Sequence, residues 1–402
     1  MGNNLDVVVG GQYGSESKGR VTADLVQRRK AEGKRVTGVR VAGPNAGHVV
    51  IDENGERYAL RQVPVSMVVD PDGLGIIAAG SEIDLQVLDA EIADLERGGH
   101  KIRNRLLIDA QATILEAHHR DAEGGNDGPL QTRIGSTGKG IGAARADRIW
   151  RQARIAREQL GQLTEYGTLA DTAALMNSEL NRESGTAIVI EGTQGYGLGL
   201  HAGYYPQCTS SDCRAIDFLA MAGVSPWGVK AELGVWVVLR AYPIRVAGNS
   251  GPLKGETSWA QLGLPEEHTT VTHKVRRVGQ WDSELARAAV QANGGGRSWQ
   301  GSGQGPVRIA LAMADQRFPQ IAGAGSWSEM VDRLDADAFR ELAAWIDQIE
   351  SECAATVASI GTGPSSTLWR RHCGVQDAAT GWGVQAESKP ESKPSKRAAG
   401  QL

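Results

Sequence analysis

One lysine lies in a glycine-rich segment near the start of the chain, GGQYGSESKGR at residues 10–20. The segment follows the β-branched run LDVVV and precedes a helical pattern. Glycines in such a turn let backbone N–H groups converge on an anion, and the N-terminus of the next helix adds a favourable dipole. Because a standard P-loop requires Gly-Lys-Ser/Thr, Ser17-Lys18-Gly19 disfavours a generic P-loop NTPase. We interpret the segment as a phosphate loop; a glycine turn with a solvated lysine is the alternative.

A histidine ends the second glycine-containing segment, GPNAGH at residues 43–48. We place His48 on a loop at the carboxyl end of the second predicted strand, where the active sites of α/β proteins form. A histidine side chain titrates near neutrality and suits general acid work. A single histidine is more often structural, but a phosphate loop at the end of a neighbouring strand favours a functional role.

Three further segments combine small residues with hydroxyls or cations. They are IGSTGKGIG at 134–142, EGTQG at 191–195 and HTTVTHKVRR at 268–277. The first suits a phosphate, and the second follows a predicted strand at 187–190. Threonines that alternate with cations in the third suit a small dicarboxylate or a phosphate. A solvated basic edge is the alternative for this last segment.

The elements that must position these segments alternate between strands and helices. Apolar, β-branched runs predict strands at 5–9, 35–41, 75–79, 105–109, 187–191, 235–239, 307–313 and 355–360. Helical patterns occupy the intervals, among them 21–30, 85–97, 144–160 and 338–352. This alternation predicts an α/β fold with a central, mainly parallel β-sheet flanked by helices in a single large domain. We assign residues 1–384 to the catalytic domain and the polar residues 385–402 to a disordered tail.

The composition excludes several classes of protein. Glycine contributes 52 of 402 residues without a collagen period, and 41% hydrophobic residues are too many for a disordered chain. A net charge of −4 gives no electrostatic reason to bind nucleic acid or an anionic membrane. The sequence shows no signal peptide and no apolar run that could span a membrane. We therefore expect a cytoplasmic protein, and free thiols at Cys208, Cys213, Cys353 and Cys373.

Six segments together resemble the adenylosuccinate synthetase family, and they occur in the same order as in the family. The resemblance covers nearly the whole chain, from residue 5 to about residue 367. The segments are GQYGSESKGR, NAGH, GSTGKGIG, EGTQG, TVTHKVRR and IGTGP. The resemblance implies a fold related to P-loop NTPases and a homodimeric C–N ligase. Family members make adenylosuccinate from IMP, aspartate and GTP with magnesium. The γ-phosphoryl group moves to the purine 6-oxygen, and the amine of aspartate then displaces phosphate.

One departure from the family pattern concerns the purine. The family loop reads Gly-Asp-Glu-Gly-Lys-Gly, and the matching residues here are Gly14-Ser15-Glu16-Ser17-Lys18-Gly19. Ser15 replaces the aspartate that takes the N1 proton and contacts magnesium. This resembles a phage branch of the family, which makes N6-succino-2-amino-2′-deoxyadenylate from dGMP for DNA that contains 2-aminoadenine. A carboxylate would crowd the 2-amino group of guanine, whereas the shorter serine leaves volume and can accept a hydrogen bond.

The group that accepts the N1 proton stays open at this point: Ser15 could relay it to phosphate or water, or Glu16 could take it. The resemblance assigns the other roles residue by residue. His48 would stabilise charge on the 6-oxygen, and Arg151 would reach the monophosphate from the partner subunit. Ser15 and the Gly47 carbonyl would be the protein ligands of magnesium. The triphosphate contacts would be Gly14, Glu16, Ser17, Lys18, Gly19, Arg20, Gly47, His48, Asp315, Gly361, Gly363 and Pro364.

The remaining assignments concern the other two substrates. The dGMP contacts would be Ser15, Asn45, Ser136, Thr137, Arg151, Gln194, Leu198 and Thr209. The aspartate contacts would be Val271, Thr272, Lys274 and Arg276, with Lys274 where the family usually has arginine.

A second departure concerns the triphosphate. The family reads guanine through Thr-Lys-Leu-Asp, and the matching stretch here is Ala312-Met313-Ala314-Asp315. The lysine is missing, which favours ATP or dATP over GTP. The sequence thus predicts a dGMP–aspartate ligase. An ordinary adenylosuccinate synthetase that uses IMP and GTP is the first alternative. An inactive nucleotide-binding homologue is the second.

Overall fold

The computed structural model describes residues 2–125, 128–227, 229–269, 274–296 and 305–370. Cys373 and the predicted tail at 385–402 lie outside the described residues. The strands are β1 (Asn3–Gly10), β2 (Arg35–Arg40), β3 (His48–Ile51), β4 (Arg57–Leu60), β5 (Leu74–Ile77), β6 (Glu82–Ile83), β7 (Leu106–Asp109), β8 (Thr113–Ile114), β9 (Thr168–Ala170), β10 (Thr186–Glu191), β11 (Ala231–Arg240), β12 (Ile244–Arg245), β13 (Arg277–Val278), β14 (Val307–Ala312), β15 (Thr356–Gly363) and β16 (Ser366–Trp369).

The helices in the same ranges are α1 (Lys18–Ala31), α2 (Ser66–Val69), α3 (Leu85–Arg97), α4 (Ala117–Glu123), α5 (Pro129–Ile134), α6 (Ile141–Trp150), α7 (Leu160–Leu163), α8 (Thr172–Asn181), α9 (Ala215–Ala222), α10 (Ser283–Ala292), α11 (Trp327–Arg333) and α12 (Ala336–Cys353). In the described part of the chain, no helix combines the length and the apolar character that crossing a bilayer requires. Cys208, Cys213 and Cys353 are free thiols, as predicted.

Ten strands form one central sheet in the order β16-β15-β14-β11-β1-β10-β2-β5-β7-β9. Every neighbouring pair in it is parallel except β15–β16. Helices cover both faces, so the central strands are apolar throughout, and all eight residues of β1 are buried. One apolar cluster fills one side of the sheet, and a second one packs α1 against the other side. The predicted α/β class with a mainly parallel sheet is confirmed.

One predicted helix, at residues 144–160, is wrong in its extent. Helix α6 ends at Trp150 because Arg151 adopts a left-handed conformation with φ 61°. The amides of Arg151 and Gln152 then close the helix on the carbonyls of Arg148 and Asp147. The chain continues as a 3₁₀ turn at Ala156–Gln159 and then as α7. The apolar spacing does not reveal the break, because no glycine or proline marks it.

His48 also differs from its predicted place on a loop. It is the first residue of β3, which pairs with β4 as a small antiparallel hairpin. This hairpin packs on α1, and Gly19 allows the approach, since a Cβ at that position would lie 2.7 Å from the Cβ of His48. The side chain of His48 is thereby fixed beside the N-terminal turn of α1.

Candidate active site

Six adjacent strands of the sheet end at the same edge. They are β15, β14, β11, β1, β10 and β2, and all of them run parallel. The glycine-rich segments that follow these strands therefore meet around one cavity of about 800 Å³. Its walls include residues from the segments at 13–21, 45–49, 134–137 and 194–209. The loops after β14 and β15 close the opposite side.

The phosphate loop folds around the carboxylate of Glu16. Glu16 is fully buried and accepts hydrogen bonds from the backbone amides of Gln12 (3.1 Å) and Gly14 (2.8 Å), and from Nζ of Lys18 (2.6 Å). A Cβ at Gly10 or Gly195 would lie 2.6 or 2.5 Å from this carboxylate. Two glycines are therefore required so that one carboxylate can hold the loop. Glu16 does not border the cavity, in contrast to its predicted place among the triphosphate contacts.

Replacing Glu16 by glutamine should destabilise the protein. Glutamine presents one oxygen and one NH₂ group where three N–H donors now converge, and it leaves the buried Lys18 without its counter-ion. We expect the free energy of unfolding to fall by about 3 kcal/mol in chemical denaturation. The control is Asp94→Asn, which breaks the exposed pair between Asp94 and Arg97. That change should cost less than about 0.5 kcal/mol. Equal effects of the two changes would contradict the described role of Glu16.

Ser15 lies at the exposed tip of the phosphate loop and borders the cavity. Its backbone is left-handed, with φ 59°, which is a strained conformation for a residue other than glycine. Nη1 of Arg240, at the end of β11, donates to the carbonyl oxygen of Ser15 at 3.3 Å. Gln194 faces the loop from the end of β10 and is also left-handed, with φ 60°. The two strained residues thus line one wall of the cavity from neighbouring strands.

His48 belongs to a buried cluster of three polar side chains. Glu191, the last residue of β10, accepts a hydrogen bond from Nη1 of Arg40 at 2.7 Å and contacts Nδ1 of His48. Nδ1 of His48 also lies 2.6 Å from Nη1 of Arg40, so both neighbours engage the same ring nitrogen and Nε2 is left for the cavity. Glu191 also accepts from the amide of Val65 at 3.2 Å. Every member of the cluster is therefore held in place before any ligand binds.

The pKa values in this cluster follow from burial and charge. Burial, reinforced by the positive charge of Arg40, lowers the pKa of His48 to about 4. Burial alone would raise the pKa of Glu191, but Arg40 and His48 together hold it below its usual value. In the ligand-free protein at neutral pH, Glu191 is ionised and the ring of His48 is neutral.

Another part of the cavity wall carries two cations. Arg276 and Lys274 both border the cavity, and Arg276 approaches the carboxylate of Glu267 with Nη1 at 3.5 Å from Oε2. Lys274 is exposed. Val271 and Thr272, the other two predicted aspartate contacts, lie outside the described residues.

A third region of the cavity is formed by the loops after β14 and β15. Asp315 borders it, and Oδ1 of Asp315 is buried with no hydrogen-bond partner within the described ranges. Burial raises the pKa of this carboxyl group. Met313 is left-handed with φ 57° and also borders the cavity, together with Gly361, Gly363 and Pro364.

The cavity brings together most of the predicted site residues. Those that border it are Gly14, Ser15, Ser17, Lys18, Gly19, Arg20, Asn45, Gly47, His48, Ser136, Thr137, Gln194, Leu198, Thr209, Lys274, Arg276, Asp315, Gly361, Gly363 and Pro364. Glu16 lies beneath it, and Arg151 is exposed on the surface away from it.

Comparison with known proteins gives the family. The family model described as adenylosuccinate synthetase matches residues 7–166 and 154–297. The adenylosuccinate synthetase of Methanococcus vannielii is 33% identical over 363 residues, which cover 89% of this chain and 96% of that protein. The enzyme of Pyrococcus horikoshii is 34% identical over 359 residues, with coverage of 89% and 95%. The chain belongs to the adenylosuccinate synthetase family. It is therefore a C–N ligase of the adenylosuccinate synthetase type.

Two solved structures share the fold of this synthetase family member. One is the cyanophage S-2L succinoaminodeoxyadenylate synthetase, bound to dGMP and to dATP as an energy donor. It superposes with a TM-score of 0.72 at 27% identity, over 92% of this chain and 96% of that one. The other is the fully ligated adenylosuccinate synthetase of Plasmodium falciparum, with a TM-score of 0.71 at 20% identity, over 92% and 100%. The second likeness supports the fold alone.

The residues behind the cavity wall of this synthetase are not among those predicted from its sequence. Arg40 and Glu191 end two buried strands, yet they are 151 positions apart and meet only because β2 and β10 are neighbours. The sequence does contain one indication of this contact, because a charged residue ends each of the two β-branched runs. Gln316, which borders the cavity beside Asp315, was also missed.

Proposed function

We propose that the protein condenses dGMP with L-aspartate, driven by ATP or dATP, and forms N6-succino-2-amino-2′-deoxyadenylate, ADP or dADP, and phosphate. The observation that carries this proposal is Ser15, exposed at the cavity where the family has an aspartate. The likeness to a phage enzyme bound to dGMP and dATP supports it. Serine is smaller than aspartate, so it would leave room for the 2-amino group of guanine, which hypoxanthine lacks.

The reaction proceeds in two steps in this proposal. In the first, the purine 6-oxygen attacks the γ-phosphorus, the bond from that phosphorus to its bridging oxygen breaks, and N1 loses its proton. In the second, the amine of aspartate attacks C6, the C6–O6 bond breaks, phosphate leaves, and the nitrogen loses its excess proton. Nε2 of His48 would face the 6-oxygen, where negative charge develops. Lys18 and the N-terminal turn of α1 would hold the phosphates.

Of the two candidate acceptors of the N1 proton, Glu16 is excluded and the relay through Ser15 remains. Glu16 is fully buried, and its two oxygens already accept three hydrogen bonds. Its carboxylate therefore has no path to the purine. The hydroxyl of Ser15 has too high a pKa to act as a base by itself, so it would pass the proton to a phosphate oxygen or to water.

Adenylosuccinate synthetases use Mg²⁺, and we propose that Ser15 and the Gly47 carbonyl hold the ion in this protein. Both border the cavity, both are exposed, and both offer oxygen, the donor that magnesium prefers. Neither is charged, so phosphate oxygens and waters would complete the coordination. When bound, the ion would neutralise charge on the transferring phosphoryl group.

The triphosphate in this proposal carries adenine. Met313 and its alanine neighbours present neither a cation nor a hydroxyl to the base. Asp315 offers a buried carboxylate oxygen without a described partner, which could accept from an amino group of either purine, so the missing lysine is what favours adenine.

We also propose a homodimer in which Arg151 of one subunit reaches the monophosphate in the other. Arg151 lies outside the cavity of its own chain, and it directly follows Ile149 and Trp150, which are 69% and 72% exposed. Two adjacent large apolar side chains exposed at the end of one helix would suit a surface that packs against a partner.

A second candidate function is ordinary adenylosuccinate synthesis from IMP and GTP. The specific observation in its favour is the name of the archaeal relatives that match 89% of the chain. It requires the enzyme to work without the aspartate that the family uses as a base.

A panel of single substrates tests the proposed function. The purified full-length chain is incubated with aspartate and Mg²⁺, each of dGMP, GMP, dIMP and IMP, and each of ATP, dATP and GTP. We expect a product with the mass of N6-succino-2-amino-2′-deoxyadenylate from dGMP with ATP or dATP. Conversion of IMP with GTP while dGMP stays inert would establish the second candidate instead. Nucleotide binding without any phosphate release would indicate an inactive homologue.

A further inference from the structure

A buried ion pair lies behind the cavity wall, between Arg240 and Glu267. Arg240 is the last residue of β11, and its side chain is fully buried. Nη2 donates to Oε1 of Glu267 at 2.5 Å, and Nη1 donates to Oε2 at 3.1 Å. The guanidinium and the carboxylate therefore face each other with two parallel hydrogen bonds, which is the strong geometry for such a pair.

The same carboxylate also faces Arg276, but less closely. Nη1 of Arg276 is 3.5 Å from Oε2 of Glu267, beyond the short hydrogen bonds that Arg240 makes. Nε of Arg276 is buried and has no hydrogen-bond partner within the described ranges. Two guanidinium groups thus share one carboxylate, so Arg240, Arg276 and Glu267 together carry a net charge of +1. Arg276 borders the cavity, whereas Arg240 and Glu267 do not.

The pKa shifts agree with this charge count. Burial would raise the pKa of Glu267, but Arg240, with smaller contributions from Gln316 and Arg276, holds it below its usual value. Burial lowers the pKa of Arg276, Glu267 acts against this shift, and the nearby charge of Arg240 adds to it, since like charges repel. An anion in the cavity beside Arg276 would favour the charged form of its guanidinium.

We propose that Arg240 neutralises Glu267, so that Arg276 is held only loosely by Glu267 and can bind a carboxylate of the aspartate substrate. Arg240 and Glu267 are positioning residues, because neither reaches the cavity. This inference rests on the proposed assignment of Arg276 to aspartate. It does not depend on which purine nucleotide is the acceptor.

Arg240 also connects the aspartate region to the rest of the site. Its Nη1 donates to the carbonyl of Ser15 at 3.3 Å, and its Nη2 donates to Oε1 of Gln316 at 3.3 Å. Nε2 of Gln316 in turn donates to Glu267 at 3.1 Å. One guanidinium thus contacts the strained Ser15, the carboxylate that faces Arg276, and the wall beside Asp315.

The test is a double-mutant cycle that measures the KM for aspartate. In Arg240→Met, Glu267 loses its main partner and would pair closely with Arg276 in competition with the substrate. We expect the KM for aspartate to rise about tenfold or more. Adding Glu267→Gln removes the competing charge, so the double variant should return to within about threefold of the wild-type KM. A purely structural role would give no such rescue.

A control separates this effect from the loss of any paired arginine. Arg29 also makes a two-bond contact with a carboxylate, that of Asp6, at 2.8 and 2.9 Å, away from the cavity. Arg29→Met should lower the melting temperature and leave the KM for aspartate unchanged. If Arg240→Met does not fold, Arg240→Lys takes its place, with a smaller rise and the same rescue by Glu267→Gln.

Two results would overturn the inference: an unchanged KM for aspartate in the Arg240 variant, or no rescue in the double variant. The cycle is run with whichever purine nucleotide the wild-type enzyme converts. A failure of dGMP in the wild type would contradict the proposed function and leave the cycle intact. A failure of the rescue would contradict only the role of Arg240 and Glu267.

Discussion

Replacing His48 by alanine should lower kcat by about 10²- to 10⁴-fold, the usual contribution of one acid–base or charge-stabilising side chain. Glu191 and Arg40 hold the ring at Nδ1, so Nε2 is left for the cavity before substrate arrives. Phosphates beside Nε2 would favour the protonated ring, because negative charge raises the pKa of a histidine. The interaction would then be strongest when charge develops on the 6-oxygen, so binding of the nucleotide should change much less than turnover.

The measurement is kcat by phosphate release together with the Kd of the nucleotide by calorimetry. The control is His100→Ala, which removes another largely buried histidine that pairs with Asp52 outside the cavity. That variant should keep its kcat, whatever happens to its stability. An equal loss of turnover and affinity in His48→Ala would indicate that His48 only binds the nucleotide.

Introducing a carboxylate at position 15 should reverse the preference for the purine. In Ser15→Asp, the side chain would crowd the 2-amino group of guanine, and it would supply a base for the N1 proton of hypoxanthine. We expect kcat/KM for dGMP to fall by about 10- to 100-fold, and use of IMP to increase. Aspartate also tolerates the left-handed backbone of position 15, so the loop should stay folded.

Two further changes at the same position separate volume from charge. Ser15→Asn has the size of aspartate without its basicity, so it should impair dGMP without improving IMP. Ser15→Ala removes the hydroxyl without adding volume, and it should retain dGMP binding better than either. Undiminished turnover of dGMP by Ser15→Asp would show that the steric account of Ser15 is wrong.

The sequence predicts the architecture well because its signals are local. The run LDVVV and the similar runs at 35–41 and 187–191 are buried parallel strands, and each ends in a glycine-containing segment that needs no distant partner to be recognised. The failure at 144–160 has the opposite cause. Arg151 ends α6 in a left-handed conformation that non-glycine residues rarely adopt. No glycine or proline nearby in the sequence indicates that the helix ends there.

The polar contacts behind the site could not be predicted in the same way. Arg40 and Glu191, or Arg240 and Glu267, meet only once the order of the strands is known. The orientation of the Glu16 side chain could not be predicted from the sequence either. Its neighbours in the sequence place it on the phosphate loop, but only the fold shows that its carboxylate turns inward and holds that loop from beneath.

We propose that the cavity wall at Ser15 selects a purine with a 2-amino group. The most direct measurement is a competition in one reaction that contains equal concentrations of dGMP and IMP, with aspartate, Mg²⁺ and ATP or dATP. The ratio of the two succinylated products, resolved by mass, gives the ratio of the two kcat/KM values. We expect N6-succino-2-amino-2′-deoxyadenylate to dominate. A mixture in which adenylosuccinate dominates would contradict it.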